Sequence, residues 1–160
     1  MSAYARIRLT PVEIKRAERE ADTIQSNAKR LGAAHVSVKP SNALKNDTRS
    51  RAGMIAFARA MGLTLLPPAK GSGRSVPSGL EPWKVHVVAS SNHGLVVEEF
   101  HRDDMRHVVL IGPTKDWVFE LAGWAWGWKV KEGEKDPRLN KAWRTSLTGL
   151  SYDDLPARVD

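Results

Sequence analysis

Cysteine is absent from the chain, which excludes disulfide bonds and thiolate metal sites. Long apolar runs are missing as well: HVVLIG, residues 107–112, is among the longest and is far too short to cross a membrane. The first twenty residues hold no apolar stretch of signal-peptide length. The chain has 160 residues, enough for one core. Together these observations predict a single cytoplasmic domain without membrane association.

Acidic residues are scarce in the first half. Residues 1–80 hold fourteen Lys/Arg against five Asp/Glu, whereas residues 81–160 hold eleven against thirteen. Between Asp22 and Glu81 the only acid is Asp47, in a stretch with nine Lys/Arg. One-sided positive charge suits a phosphate backbone, so we expect a nucleic-acid partner, DNA rather than RNA.

A helix is predicted from about residue 10 to 31. Thr10 can cap it, with Pro11 at its first position and Glu13 completing a capping box, and Gly32 can stop it. Its apolar stripe has helical spacing and comprises Val12, Ala17, Ala21, Ile24, Ala28 and Leu31.

A second helix is predicted over about 48–62, after a loop at 33–47. Asp47 or Thr48 would cap this helix and Gly62 would end it. Ala52, Ile55, Ala56, Ala60 and Met61 give it a packing face of mostly small residues. Its outer side would present Arg49, Arg51 and Arg59.

Residues 66–82 are rich in proline and glycine and contain Lys70 and Arg74. Such a composition predicts a long flexible loop, and loops of this length are often functional.

From residue 83 the apolar period becomes two, which predicts strands over 83–90, 94–100, 106–113 and 117–127. Short connections favour antiparallel neighbours, and the nearly all-apolar strand 106–113 should be central. The predicted fold is α/β (α+β): two N-terminal helices packed on a mainly antiparallel sheet of about four to five strands. An arm at 1–9 precedes the helical part (10–62). The sheet (83–130) is followed by a polar tail (131–160) with a possible short helix at 137–147.

Three tryptophans recur at two-residue steps in FELAGWAWGWKV, residues 119–130. On a strand, Trp124, Trp126 and Trp128 would share one face, with glycine and alanine between them. We assign Trp124 to the core and leave Trp126 open between core and interface. Trp128, with Lys129 beside it, is expected to contact a partner protein or stack on a base.

Three segments resemble small phage and prophage proteins of the PD-(D/E)XK nuclease-like superfamily. AGMIAFARAMGL (52–63) looks like a helix of that family, WKVHVVASSNHGLVV (83–97) like its catalytic hairpin, and RHVVLIGPTKDWVFELAGWAWG (106–127) like its closing hairpin. The resemblance covers about half the chain. It implies a restriction-endonuclease-like core and, for a phage protein, residence in the host cytoplasm.

The family's catalytic positions are not kept. Its helical acid falls on Met54, its middle acid near Gly79 with Glu81 the nearest carboxylate, and its E/Q-x-K/R pair on Lys84 and His86. Mg²⁺ prefers several oxygen ligands, which this set does not supply. The resemblance therefore implies a degenerate site without catalytic residues, metal or cofactor.

The histidines offer no helical metal motif. His86 and His93 could face each other across the turn at 91–94, where a solvent-facing pair is the favoured interpretation.

Three hypotheses follow. The first is a non-catalytic nucleic-acid-binding protein, with phosphates contacted by Arg49, Arg51, Arg59, Lys70, Arg74 and Lys84. The second is a phage protein that binds and modulates a host or phage enzyme, a polymerase or a defence nuclease, through Trp126, Trp128 and Lys129. The third is a metal-dependent DNA nuclease with a rearranged site at Glu81 and Glu98.

Overall fold

The structure is a computed structural model that describes residues 5–30, 40–68, 77–139 and 142–156. The chain divides into two compact units. The helical unit is Leu9–Leu80, and the sheet unit combines Met1–Arg8 with Glu81–Asp160. The predicted α+β class is confirmed, and the larger sheet is a mixed one of four strands.

The first helix, α1, spans Pro11–Arg30. Its predicted capping box is present: the Glu13 backbone N–H donates to Thr10 Oγ1 at 3.2 Å, and the Thr10 N–H donates to Glu13 Oε1 at 2.9 Å. Ala17 and Ala21 are buried as predicted, whereas Val12 is 77% exposed and does not belong to the apolar face. Leu31 and the predicted stop at Gly32 lie outside the described residues.

The second helix, α2, spans Pro40–Met61 and begins eight residues before the predicted start. Proline favours the first position of a helix, so Pro40 marks the true N-terminus. Asp47 and Thr48 are therefore interior residues and not caps: Thr48 Oγ1 donates to the Leu44 carbonyl, and Asp47 accepts a hydrogen bond from Gln25 on α1. The loop predicted for residues 40–47 was wrong.

The predicted end of α2 is confirmed. Gly62 follows the helix at a φ of +68°, a left-handed conformation that glycine adopts without a Cβ penalty. The Leu63 N–H returns to the Ala58 carbonyl at 2.8 Å. The helices α1 and α2 pack against each other. Ala52, Ile55 and Ala56 of the predicted packing face are buried.

No helix in the described ranges is both long and apolar enough to span a membrane. Of the predicted loop 66–82, residues 66–68 and 77–82 are described and lie outside the named helices and strands.

The sheet unit contains a four-stranded sheet and a two-stranded sheet. The larger has the order β1-β5-β4-β2, and the smaller pairs β3 with β6. The bounds are β1 Arg6–Arg8, β2 Trp83–Val88, β3 Leu95–Glu98, β4 Arg106–Ile111, β5 Val118–Trp126 and β6 Ala142–Thr145. A one-turn helix, α3, occupies Gly127–Val130, and a 3₁₀ turn occupies Leu147–Gly149.

The predicted antiparallel pairing of consecutive strands is wrong for β2 and β3. The strand β3 does not pair with β2 but leaves the large sheet for β6, and β2 pairs in parallel with β4. The other pairs of the large sheet, β1 with β5 and β4 with β5, are antiparallel. The predicted central position of β4 is confirmed, because it lies between β5 and β2. Residues 142–145 of the tail form β6, where a short helix was predicted.

A hydrophobic cluster joins the two sheets of this unit. It contains Val109 of β4 and Ala122 of β5, packed with Leu95, Val97, Val130 and Leu147. The buried residues Leu95 and Val97 of β3 thus pack against the large sheet from a second sheet and do not extend the first one.

Candidate nucleic-acid interface

Arg51, one of the predicted phosphate contacts, is buried in the helical unit. Its guanidinium donates to Glu20 Oε1 from Nη2 at 2.8 Å and to the Leu66 carbonyl at 2.9 Å. Arg16 approaches the same carboxylate at 3.2 Å and donates to the Leu65 carbonyl. The prediction that Arg51 lies on the outer side of α2 was therefore wrong, because its side chain forms a buried ion pair with Glu20 of α1.

Arg59 is about half exposed and is paired with Glu13 at 2.9 Å. Partial burial acts to raise the pKa of Glu13, but hydrogen bonds from Thr10 and Arg59 outweigh it, so this pKa lies below its ordinary value. The carboxylate is consequently ionised at neutral pH. Arg59 therefore contributes less free positive charge than its exposure suggests.

The first half of α2 presents a polar exposed face. Its members follow the three- and four-residue steps of one helix face: Asn42, Lys45, Asn46, Arg49 and Ser50. All five side chains carry hydrogen-bond donors, two carry positive charge, and none is a carboxylate. The only acid of α2, Asp47, bonds instead to Gln25 of α1. We call these five residues the α2 donor face.

The exposed face of α1 has a different composition. Lys15 and Arg19 are exposed there, but so are Glu18 and Asp22. Charges of opposite sign on one helix face compensate each other. The two helices of one unit therefore offer one neutral face and one cationic face, and sequence inspection alone identified only Arg49 of the cationic one.

The remaining predicted cations have different surroundings. Lys70 and Arg74 lie outside the described residues. Lys84 is exposed on β2, where it stands in register with His107 of β4. This register places Lys84 beside a histidine cluster, where its charge adds to the effect of burial in lowering the pKa of His86 and His107.

That cluster consists of His86, His101 and His107. His86 Nε2 and His107 Nδ1 are hydrogen-bonded at 2.8 Å, and the ring centroids of His101 and His107 lie 5.1 Å apart. Burial, followed by the charges of neighbouring rings and of Lys84, lowers the pKa of His86 to about 3 and that of His107 to about 4. The pair is therefore neutral near pH 7.

The predicted pairing of His86 with His93 was wrong: His93 bonds to Ser90 within its own turn. In the register of β2 and β4, His107 stands opposite Lys84, and His86, two residues further along β2, shares that face and meets His107 diagonally. Lys84 and His86 alternate along β2, which is a sequence signal for a shared face, but the predicted strand order placed 106–113 between 94–100 and 117–127 and not beside β2. His107 Nε2 is buried without a hydrogen-bond partner, and a Cβ on Gly127 would approach this atom to 3.2 Å.

Among the residues that the structure describes, no group of three or more histidine or carboxylate side chains is placed to hold a metal ion. The positions that replace the family's acids have other contacts. Met54 Sδ lies 3.9 Å from Arg51 Nη1, and Glu98 lies in β3 of the small sheet. Glu81 is exposed in a turn before β2.

The tryptophan row divides at the end of β5. Trp124 is buried, as predicted, and its ring meets Trp126 edge-on at 5.4 Å between centroids. The Arg106 guanidinium lies over Trp124 at 4.5 Å and over both Trp83 and Trp126 at 4.9 Å, and it also pairs with Asp154 at 3.2 Å. These rings thus already hold a cation of the protein itself.

Trp128 does not continue the row. The strand β5 ends at Trp126 and α3 begins at Gly127, so the two-residue alternation of side chains stops before Trp128. It is 45% exposed, and Lys129 beside it is exposed as well. Its backbone N–H donates to the Asp103 carbonyl, which ties α3 to the segment carrying Phe100. Phe100 is 75% exposed. The sequence pattern places Phe100 at the end of the predicted strand 94–100 and does not assign it to an interface, whereas β3 ends at Glu98.

Comparisons of the chain with family models, with curated proteins and with solved structures found no match.

Proposed function

We propose that this protein binds nucleic acid, DNA in the first instance, without cutting it, and that the α2 donor face is its contact surface. The observation that carries the proposal is the composition of that face: Lys45 and Arg49 stand one turn apart, among Asn42, Asn46 and Ser50, with no exposed carboxylate between them.

The chemistry of these side chains fits nucleic acid. Lysine and arginine neutralise phosphates and release counterions, which supplies most sequence-independent affinity. Asparagine and serine donate to phosphates and to base edges. The helical unit as a whole holds twelve Lys/Arg against five Asp/Glu, so its field favours a polyanion.

The proposal does not depend on the resemblance to PD-(D/E)XK proteins. The segment 106–127 forms an antiparallel hairpin of β4 and β5. The segment 83–97 does not, because β2 and β3 lie in different sheets. A degenerate nuclease-like fold of phage type remains a prediction from the residues quoted above.

The test is a salt titration of binding to labelled single- and double-stranded DNA, with Mg²⁺ present and the products separated on a gel. We expect affinity to fall linearly in a plot of log K against log salt. The double variant Lys45→Ala with Arg49→Ala should weaken binding to all sequences and reduce the salt slope by about two.

Lys15→Ala with Arg19→Ala is the matched control, since it removes two exposed cations from the compensated face of α1 in the same unit. An equal loss in both double variants would contradict the assignment of the α2 donor face. Absence of binding at moderate salt would overturn the proposed function, and cleaved DNA would overturn the claim that binding is non-catalytic.

A second candidate function is the binding of a partner protein through Phe100 and Trp128. Large exposed aromatic side chains are enriched at interface hot spots, and these two belong to segments joined by backbone hydrogen bonds. Here Lys129 would form part of the charged rim.

Salt separates the two candidates, because apolar association is insensitive to it. A partner, such as a polymerase or a nuclease, should be retained at high salt and lost after Phe100→Ala with Trp128→Ala. Val12→Ser, which changes an exposed apolar residue of α1, should retain it. Loss in all variants alike would remove support for this surface.

A further inference from the structure

The sheet unit contains a cavity of about 910 Å³ that the proposed function does not use. The turn at 91–94, the segment 134–138 and the stretch from β6 into the 3₁₀ turn border it, and it is open to solvent. Its volume lies within the range of small-molecule sites. Its lining is about half polar and includes Arg138, Arg144, Glu134, Ser91, Asn92 and Ser146.

One carboxylate positions the two arginines of this cavity. The Asp136 side chain is only 8% exposed. It accepts hydrogen bonds from the Arg138 backbone N–H at 2.9 Å and from Arg138 Nε and Nη2 at 3.2 Å, and Arg144 Nε approaches it to 3.6 Å. Its oxygens are thus engaged on one side by two guanidinium groups.

Both guanidinium groups retain N–H donors that do not contact Asp136. An arginine carries five N–H donors in a planar fork, and the contacts with Asp136 engage two of those on Arg138 and one on Arg144. Two forks held at one cavity wall suit a planar or tetrahedral oxyanion, which arginine binds in a bidentate manner. Asn92 and Ser91 of the turn at 91–94 add neutral donors to the lining.

Lys135 does not compete for this role, although it also borders the cavity. Its ammonium lies 5.0 Å from the Trp143 ring centroid and 3.8 Å from Glu99. The charges of Lys135 and of Glu134, which also lines the cavity, offset each other, so the positive charge available to a ligand comes from Arg138 and Arg144 against the single carboxylate of Asp136. A lone phosphate ion would fill only part of 910 Å³.

We propose that this cavity binds a phosphate monoester attached to a group of nucleoside size, with Arg138 and Arg144 on the phosphate. Such a group occurs on a free nucleotide and at the phosphorylated end of a nucleic-acid strand. The inference stands apart from the α2 donor face, because every residue that carries it belongs to the sheet unit.

Isothermal titration of the full chain with adenosine monophosphate tests the site, with adenosine as the ligand lacking phosphate. We expect binding of the nucleotide only, and a loss of about tenfold or more on Arg144→Gln. Arg138→Gln changes a side chain that is 76% exposed, so it should fold normally and weaken binding in the same way. Arg102→Gln is the control: Arg102 pairs with Asp104 two residues away, as Arg138 pairs with Asp136, but lies outside the cavity.

Equal affinity for adenosine, or equal effects of Arg138→Gln and Arg102→Gln, would overturn the proposal, as would absence of nucleotide binding at millimolar concentration.

Competition with oligonucleotides that carry a 5′-phosphate or a 5′-hydroxyl then separates the two sources of the phosphate monoester. Displacement by the phosphorylated strand alone assigns the site to strand ends, and displacement by neither assigns it to free nucleotides. Lys45→Ala with Arg49→Ala should leave nucleotide binding unchanged, so failure here is distinguishable from failure of the proposed function.

Discussion

The two units of this protein use charge in opposite ways. Leu9–Leu80 holds twelve Lys/Arg against five Asp/Glu, a net charge of +7, whereas the rest of the chain holds thirteen of each and is neutral. In the sheet unit, cations and acids meet at the surface, as in Arg6 with Glu120 and Lys131 with Asp103. These pairs leave little free charge for a polyanion.

In the helical unit three of the five carboxylates, those of Glu13, Glu20 and Asp47, bond to side chains of the other helix. Glu20 is buried between Arg16 and Arg51, and Asp47 of α2 bonds to Gln25 of α1. The acids thus join the helices, while Lys45 and Arg49 remain exposed on a face without carboxylates. The comparison teaches that the location of the acids, more than the number of cations, decides which surface can bind a polyanion.

Replacing Glu20 with alanine should have the largest effect on this arrangement. The change leaves Arg51 buried without its counter-ion, and breaking a buried pair in this way costs about 3–5 kcal/mol. Denaturant unfolding measures the loss. Glu18→Ala, on the exposed side of the same helix, should stay within about 0.5 kcal/mol of wild type. Similar losses in both variants would show that the buried network is not what holds α1 to α2.

Acid should weaken the sheet unit through its neutral histidines. The folded-state pKa values of His86 and His107 are about 3 and about 4, below the ordinary value of about 6.5 that the unfolded chain would show. Between these limits the unfolded state binds protons that the folded state excludes, so the free energy of unfolding falls as pH is lowered from about 6.5 toward 4. The slope should reach about 1.4 kcal/mol per pH unit for each histidine.

Unfolding by denaturant across this pH range measures the slope. His86→Gln removes one titrating group and should make the dependence shallower. His93→Gln alters a histidine that bonds to Ser90 in an exposed turn, and it should leave the slope unchanged. A wild-type slope that is flat over this range would contradict the buried neutral pair.

Gly123→Ala should destabilise the sheet unit by about 2–3 kcal/mol. Gly123 lies at a β-bulge of β5 with a φ of +127°, and a Cβ there would stand 2.6 Å from the Leu150 Cβ. Thermal unfolding reports the loss. Gly133→Ala is the matched control, because its Cβ would meet only the Val130 carbonyl at 3.6 Å. Equal stability of both variants would show that the backbone at Leu150 can move far enough from β5 to accept the added Cβ.

Much of the fold could be predicted from local chemistry. The capping box of Thr10 and Glu13, the stop at Gly62 and the central strand β4 depend on residues close in sequence, and each is confirmed. The start of α2 was missed because asparagine, aspartate and serine in residues 41–47 favour turns. Packing against α1 overrides that preference. The departure of β3 to β6 joins residues about fifty apart, which no local pattern contains.

The candidate site shows the same division. Arg49 was predicted correctly as exposed because helix periodicity places it there. Arg51 was misplaced because its partner Glu20 lies on another helix, and a buried ion pair leaves no periodic signal. The cavity of Arg138 and Arg144 was not predicted at all, since it forms only where distant turns meet.

The smallest expected effect concerns the start of α1. Thr10→Ala removes the oxygen that accepts the Glu13 N–H, and the loss of such a cap costs about 1 kcal/mol. Thr10→Ser keeps the hydroxyl and should recover most of the stability. Neither change touches Lys45 or Arg49, so DNA binding by the folded protein should match wild type in the same salt titration. A stability loss in Thr10→Ser as large as that in Thr10→Ala would mean that the methyl group, and not the cap, matters. A change in the salt slope would extend the binding surface beyond the α2 donor face.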